Sequence, residues 1–448
     1  MGTTADRLTG LVKDSGRYDI PAAELRAAQA EAMNERFQER RGQIKLLAHR
    51  ASDAGLDVVS SHEDMVKLLF PHTAYKSYPE NWLMEERWDR LGKWLDTVCT
   101  YRVPTQDRSQ FKGIDDWIEK LEQGGHYVSC SSGTTGKSAM LVASKTDMDW
   151  CQVEAITAYT WGSGVEARRD RRMFGLAAVA HTARAVHTGK AYEALQNPAF
   201  ERFASPIAPM TVGGLTSMVV LRKRIADGTA SPSDIANMEK VSSERQKAMD
   251  ASVGITARAM VEARHDKLHL SGLWAGIYNV AKAVRDMGYS ARDFNPENSI
   301  YVGGGLKRAV LPSDYREFVY ETFNIQPERN YQNYSMQELH SGMPRCRKGG
   351  RYHLPPWLVP LILDKQGDGL LPQTKGEYEG RAAFFDVSID GRWGGVISGD
   401  KVSIDFSPCA CGAKGPSIRD NVARYADLEG DDKIGCAGTV DAYVRGVS

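Results

Sequence analysis

Hydrophobic positions recur along this chain with two periods. Met84, Trp88, Leu91, Leu95 and Val98 step by three and four residues, which predicts a helix over 82–98 with one buried face. Residues 22–47 are rich in Ala, Glu, Arg and Gln and predict a second helix. Further helical patterning covers 147–161, most of 234–288 with a break near 270–272, and 313–323. Between these, continuous apolar runs predict buried strands over 139–144 and 173–180, and a short strand over 298–302 that runs into Gly303, Gly304 and Gly305. From about Trp357 the texture changes. Runs at 358–363, 383–389, 393–398 and 402–406 alternate with Gly/Asp turns, as in a small β subdomain. Helical and strand periods therefore alternate over the first part of the chain and give way to strands near its end, which predicts an α/β protein.

Composition narrows the class. The 448 residues are 42% hydrophobic and 25% charged, as in an ordinary globular chain with a large core. Lys plus Arg and Asp plus Glu are both 57, so no global field favours nucleic acid or an anionic membrane, and neither is expected as a partner. No apolar run approaches a membrane span, and residues 1–7 lack the core of a signal peptide. Seven scattered cysteines suit a reducing compartment, so a cytoplasmic location is expected.

The densest chemistry lies in Ser131, Ser132, Gly133, Thr134, Thr135, Gly136, Lys137 and Ser138. Glycines let backbone N–H groups converge on an anion, hydroxyls add donors, and Lys137 adds charge, which suits a polyphosphate. A Walker A loop would need glycine at position 131, which is serine, and a helix directly after the lysine, where a strand is predicted instead. The loop thus sits between strands. His181 and His187 follow a predicted strand, but a lone histidine beyond a strand is more often a loop or cap residue. Cys409 and Cys411 form a Cys-x-Cys pair, and His340 and Cys346 lie in an earlier loop. Four such ligands could make a closed tetrahedral zinc site, with His353 as an alternative fourth ligand.

Taken in order, several stretches resemble the acyl-adenylate-forming superfamily, in the branch of phenylacetate–CoA ligase and the acyl-protein synthetase of the luciferase fatty-acid reductase complex. These are 131–137, Gly303-Gly304-Gly305-Leu306-Lys307, Tyr334 through Glu338, Gly399-Asp400, Ala423-Arg424-Tyr425-Ala426-Asp427, and Lys76-Ser77-Tyr78-Pro79-Glu80. The resemblance implies ATP and Mg²⁺ as cofactors and a small carboxylic acid as substrate. It implies β/γ-phosphate binding by the 131–137 loop with Lys137, adenine contacts at Gly303–Gly305 and Tyr334, Mg²⁺ on Glu338, ribose binding by Asp400, and a ribose or phosphate contact from Arg424. The acid pocket would be lined from 181–190, 206–216 and 301–305.

The sequence departs from the pattern at Ser335, Gln337 and Ala423, which stand where the family has Gly, Ser/Thr and Gly. The expected organisation is a helical extension over 1–75, an α/β core over 76–356, a β-rich subdomain over 357–427 and a short tail over 428–448. The family's C-terminal domain would then be largely missing. As in the acyl-protein synthetases, a cysteine near the end, Cys436, could accept the acyl group. Other acceptors are CoA, an acyl carrier or a reductase partner. The alternatives are a CoA ligase of the phenylacetate type and a non-catalytic nucleotide- or acyl-adenylate-binding relative that serves a partner enzyme.

Overall fold

The computed structural model describes residues 2–429 apart from 80, 105–106, 108–110, 131–137, 177–180, 204 and 304–308. The chain divides into two compact units that interleave in sequence. One comprises Met1–Glu154, Thr182–His187 and Ser335–Ser448, the other Ala155–His181 and Thr188–Tyr334. Of the assignments made from sequence, Ser131, Ser132, Gly133, Thr134, Thr135, Gly136, Lys137, Gly304, Gly305 and Cys436 lie outside the described residues.

The first unit is built on a 7-stranded sheet. Its centre is the antiparallel pair Glu377–Asp386 and Gly395–Asp405, in register at Tyr378↔Ile404 and Phe384↔Val396. Leu358–Pro360 pairs on one side, and Ser417–Ile418 and Ala423–Arg424 pair along the other. Phe70–Pro71 adds to it in parallel, and Tyr352–His353 extends it beyond Ser417–Ile418. Of the strands predicted after Trp357, 358–363 is shortened to Leu358–Pro360, 383–389 begins earlier and ends at Asp386, and 393–398 and 402–406 are one continuous strand, Gly395–Asp405. Their β-branched and aromatic residues Phe384, Phe385, Val396 and Ile404 are all buried.

A separate hairpin pairs Tyr127–Cys130 with Met140–Ala143, with Cys130 opposite Met140. The strand expected after Lys137 is thus in place, and 131–137 falls within the hairpin's connection. The helix predicted over 22–47 is two, Ala22–Arg40 and Lys45–Ala54. Between them Ile44 is extended and fully buried, and a β-branched side chain seeking the core there breaks the run. The helix predicted over 82–98 is likewise split, into Asn81–Met84 and Trp88–Val98. Glu86 takes a left-handed φ of 55° between them. Trp88, Leu91, Leu95 and Val98 are buried as the spacing predicted, but Met84 is turned off that face and is 52% exposed.

The second unit holds a 4-stranded parallel sheet in the order Arg171–Gly175, Lys267–Gly272, Asn298–Val302, Ile325–Tyr331. Pro232–Glu262, Trp274–Asp286 and Tyr315–Phe323 pack on it through Met260, Ile277, Val280, Val319 and Phe323. The break near 270–272 is itself a strand. Its Leu268 and Leu270 are buried, yet so short an apolar run between two helices has no distinct period. Ile325–Tyr331 also went unpredicted, because Gln326, Pro327 and Glu328 are exposed on a sheet edge, where proline is tolerated.

Candidate active site and metal centre

In the first unit, one buried set of charges fixes the loop that carries Glu338. Ser144 and Asp147 cap the helix Lys145–Ser163 reciprocally: Ser144 N–H donates to Asp147 Oδ2 (2.8 Å) and Asp147 N–H to Ser144 Oγ (3.2 Å). Asp147 is fully buried and accepts two further backbone N–H bonds, from Asp390 and Gly391 (both 2.7 Å). Only glycine fits at 391, because a Cβ there would lie 2.7 Å from Asp147 Oδ2 and 2.6 Å from Ser144 N. Asp147 Oδ1 lies 3.0 Å from His340 Nδ1. Burial pushes the Asp147 carboxyl up, but His340, Arg392 and the backbone donors outweigh it and hold it well below the usual carboxylate range.

Arg392, also buried, completes the set. Its Nη1 donates to Val142 O and to His340 Nε2 (both 3.0 Å), and its Nη2 to Glu338 O (2.9 Å) and Gln337 O (3.3 Å). A guanidinium can only donate, so His340 Nε2 accepts and the ring proton sits on Nδ1, facing Asp147. Burial holds the His340 imidazole below its ordinary value against the pull of Asp147, so the ring is neutral. The same loop is tied down further on. His340 and Ser341 N–H both donate to Asp386 Oδ2 (3.0 Å), Gly342 N–H donates to Glu154 Oε1 (3.0 Å), and Trp357 Nε1 donates to Ser341 Oγ (2.8 Å).

Glu338 itself is only half-buried. Burial raises its carboxyl above the ordinary range, while Arg392, Lys76 and Arg184 pull it back. Lys76 follows the strand Phe70–Pro71, and its neighbours pin it. Tyr75 donates to Trp393 O (3.2 Å) and Tyr78 to Ser138 O (2.7 Å), at the start of the second hairpin strand. Burial lowers the Lys76 amine, and Glu338 opposes that shift. Asp400 and Arg424 face each other across paired strands, with Arg424 Nε 3.7 Å from Asp400 Oδ1. Ser335 is exposed in the same unit. Gly303 and Tyr334 belong to the second unit, where Gly303 N–H donates to Gly272 O (3.1 Å) just past the strand Asn298–Val302. His187 packs edge-on to Tyr127 and lies 3.2 Å from Gln152 Nε2, and His181 is exposed.

Sequence reading did not single out Asp147, Arg184 or Arg392. A Ser-x-x-Asp cap signal was legible at Ser144–Asp147, but nothing along the chain links it to Arg392.

The metal ligands fall differently from the first expectation. Cys346, Cys409 and Cys411 come together, but the histidine with them is His353, and the four ligand atoms all lie within 4.8 Å of one another. His340 is corrected out of this set, since both its ring nitrogens are engaged by Asp147 and Arg392. Cys346 Sγ and Cys409 Sγ are 3.7 Å apart, and Cys411 Sγ is 3.5 Å from His353 Nε2. Thiolate and imidazole bonds to zinc of about 2.3 and 2.0 Å give tetrahedral edges of about 3.5–3.8 Å. The donor set therefore fits such an ion. Gly349 makes the approach possible, because a Cβ there would lie 2.1 Å from Cys409 Sγ and 3.2 Å from Cys346 Sγ. Tyr18 covers His353 edge-on at 6.1 Å.

No protein-family model matches the chain, and no curated protein matches it. Solved structures do. A 2-hydroxyisobutyryl-CoA ligase in complex with 2-HIB-AMP and CoA in the thioesterification state superposes with a TM-score of 0.56 at 13% identity, over 91% of this chain and 70% of that one. The same ligase in the postadenylation state with R3-HIB-AMP gives 0.55 at 12% identity, over 92% and 70%. An open conformation gives 0.52 at 12%, over 92% and 75%. The chain thus has the α/β fold of an adenylate-forming ligase, as the sequence predicted. No helix among the described residues is long and apolar enough to cross a membrane.

Proposed function

We propose that this protein activates a small carboxylic acid with ATP and Mg²⁺, releases pyrophosphate, and passes the acyl group to a thiol or amine. A carboxylate oxygen would attack the α-phosphorus, and the bond from that phosphorus to the β-phosphate oxygen would break. The observation that carries this reading is Glu338: a half-buried carboxyl that feels the charges of Lys76, Arg184 and Arg392, on a loop whose backbone Arg392 and Arg184 hold by hydrogen bonds. The fold supports it, being shared with a ligase whose structures hold acyl-AMP. Glu338 is the residue that would hold Mg²⁺, a hard ion that suits carboxylate oxygen and would neutralise polyphosphate charge when bound. The three cations would compensate developing negative charge without reorganising, because Arg392 and the loop backbone are already locked.

The nucleotide contacts rest on the resemblance. It gives the β/γ-phosphates to 131–137 with Lys137, adenine contacts to Gly303–Gly305 and Tyr334, the ribose to Asp400, and a ribose or phosphate contact to Arg424. Cys346, His353, Cys409 and Cys411 are assigned to a structural zinc ion. The acyl acceptor is Cys436, CoA or a carrier. CoA is favoured by the neighbour whose structure holds it beside the adenylate. A non-catalytic nucleotide-binding role is favoured by Ser335 and Gln337.

A screen of pyrophosphate release from ATP over aromatic, aliphatic and hydroxy acids tests the reading. Release with at least one acid, abolished in Glu338→Gln, is expected. Nucleotide binding without release would instead establish the non-catalytic role. Mass analysis of the protein for a covalent acyl group, with Cys436→Ala as control, separates self-acylation from transfer to added CoA.

A further inference from the structure

We infer that Arg184 binds the anionic oxygens of this site's ligands, an assignment that rests on the adenylation reading. Arg184 lies in the first turn of the helix Ala183–Ala191. Its backbone N–H donates to Ser129 Oγ (3.2 Å), a buried hydroxyl in the strand that leads into 131–137. Its guanidinium Nη1 donates to Met336 O (3.0 Å) and Gln337 O (3.2 Å), the two residues before Glu338. One residue is therefore fixed at both ends, by backbone to the hairpin and by side chain to the Glu338 loop.

That pinning defines what the rest of the side chain can do. A guanidinium is planar, so two carbonyls on Nη1 fix the orientation of the whole plane. Among the described residues, Nε and Nη2 make no hydrogen bond, and the residue is only half-buried. The Nε/Nη2 edge carries two parallel N–H groups, which match the two oxygens of a carboxylate or a phosphate. Arg392 makes an instructive contrast: both its Nη atoms are spent on four acceptors and it is buried, so it serves the loop. Arg184 has an edge left over beside Glu338, whose carboxyl feels its charge.

The shared chemistry is a pair of anionic oxygens, supplied by the nucleotide's polyphosphate or by the acid's carboxylate. Calorimetric titration of ATP–Mg²⁺ and of inorganic pyrophosphate into wild type, Arg184→Lys and Arg184→Gln measures the first source. The KM for the acid in pyrophosphate release measures the second. Lysine keeps the charge and a donor for the two carbonyls but cannot offer the fork, so its melting temperature should stay at the wild-type value.

A rise of tenfold or more in the nucleotide or pyrophosphate Kd assigns the edge to polyphosphate. The same rise confined to the acid's KM assigns it to the carboxylate. Unchanged constants in both variants, or a loss confined to kcat, overturn the proposal. If wild type releases no pyrophosphate with any acid, the adenylation reading fails by itself. Pyrophosphate calorimetry then still decides Arg184: tenfold weaker binding in Arg184→Lys sustains it, and equal binding, or none to wild type, overturns it.

Discussion

Two neighbouring loops of the first unit each bury a histidine and solve the problem by opposite means. At 336–342 the loop is held by polar groups: His340 stands between Asp147 and Arg392, and the Asp386 carboxylate and the Glu154 carboxyl take the next backbone N–H groups. At 346–353 the loop meets the turn at 409–411 through three sulfurs and one imidazole, with no ion pair among them. The first is preorganised by covalently fixed charges and needs nothing added. The second brings soft donors to spacings that suit a metal and would derive its firmness from one. A histidine's role is thus set by its second nitrogen's partner: an arginine, which forces it to accept, or a cluster of thiols.

The sharpest way to break this contrast is to remove the metal arm. Cys409→Ala should cost several kcal/mol and the bound ion, since structural zinc couples directly to folding. Elemental analysis of the purified protein reads the ion, and a denaturant melt reads the stability. Wild type purified without any transition metal would end the assignment. His340→Ala should keep the ion in full, and loss of metal there would reverse the exchange of His340 for His353.

Breaking the charge arm comes next. Asp147→Asn leaves Arg392 buried without its counter-charge, and uncompensated buried charges typically cost about 3–5 kcal/mol. Urea midpoints should fall accordingly while metal content stays constant. An unchanged midpoint would show that the network is not what holds the Glu338 loop.

Glu154 gives a pH-dependent test of the same arm. Burial raises its carboxyl to about 7, above the 4.5 of the unfolded chain. Between those values the folded state binds the proton that the unfolded state has lost, so the group's contribution to stability is complete below about 4.5 and is lost as pH rises through about 7. Glu154→Gln keeps an acceptor for Gly342 and removes the titration. It should match wild type near pH 4.5 and exceed it by on the order of 3 kcal/mol at pH 8. Parallel stability profiles for the two proteins would refute the buried, neutral carboxyl.

The smallest effect is a control. Arg345 and Asp420 pair at 3.1 Å on the surface beside the metal loop. Arg345→Ala should move stability by less than about 1 kcal/mol, as exposed pairs do. A larger loss would mean that the metal loop leans on surface charge after all.

Much of this was legible along the chain. The apolar stripe of Trp88, Leu91, Leu95 and Val98 dictated its helix, and the run after Lys137 dictated its strand, because burial period is a local property. The motifs from Lys76 to Arg424 placed the chain in the right fold, and Glu338 was named from them. The cysteines and both histidines were visible as ligand types, since soft donors are rare enough to stand out. What sequence could not choose was which histidine joins the sulfurs. That depends on Gly349 letting Cys346 and Cys409 close, and on Arg392 reaching His340 from the distant turn before the strand Gly395–Asp405. Likewise Met84 follows the helical spacing perfectly and is still exposed, because one left-handed residue at Glu86 rotates it away. Asp147, Arg184 and Arg392 acquire their roles only from neighbours far away in sequence. Patterns of period and residue type are written locally, whereas electrostatic partnership is a matter of distance in space, and only the folded chain decides it.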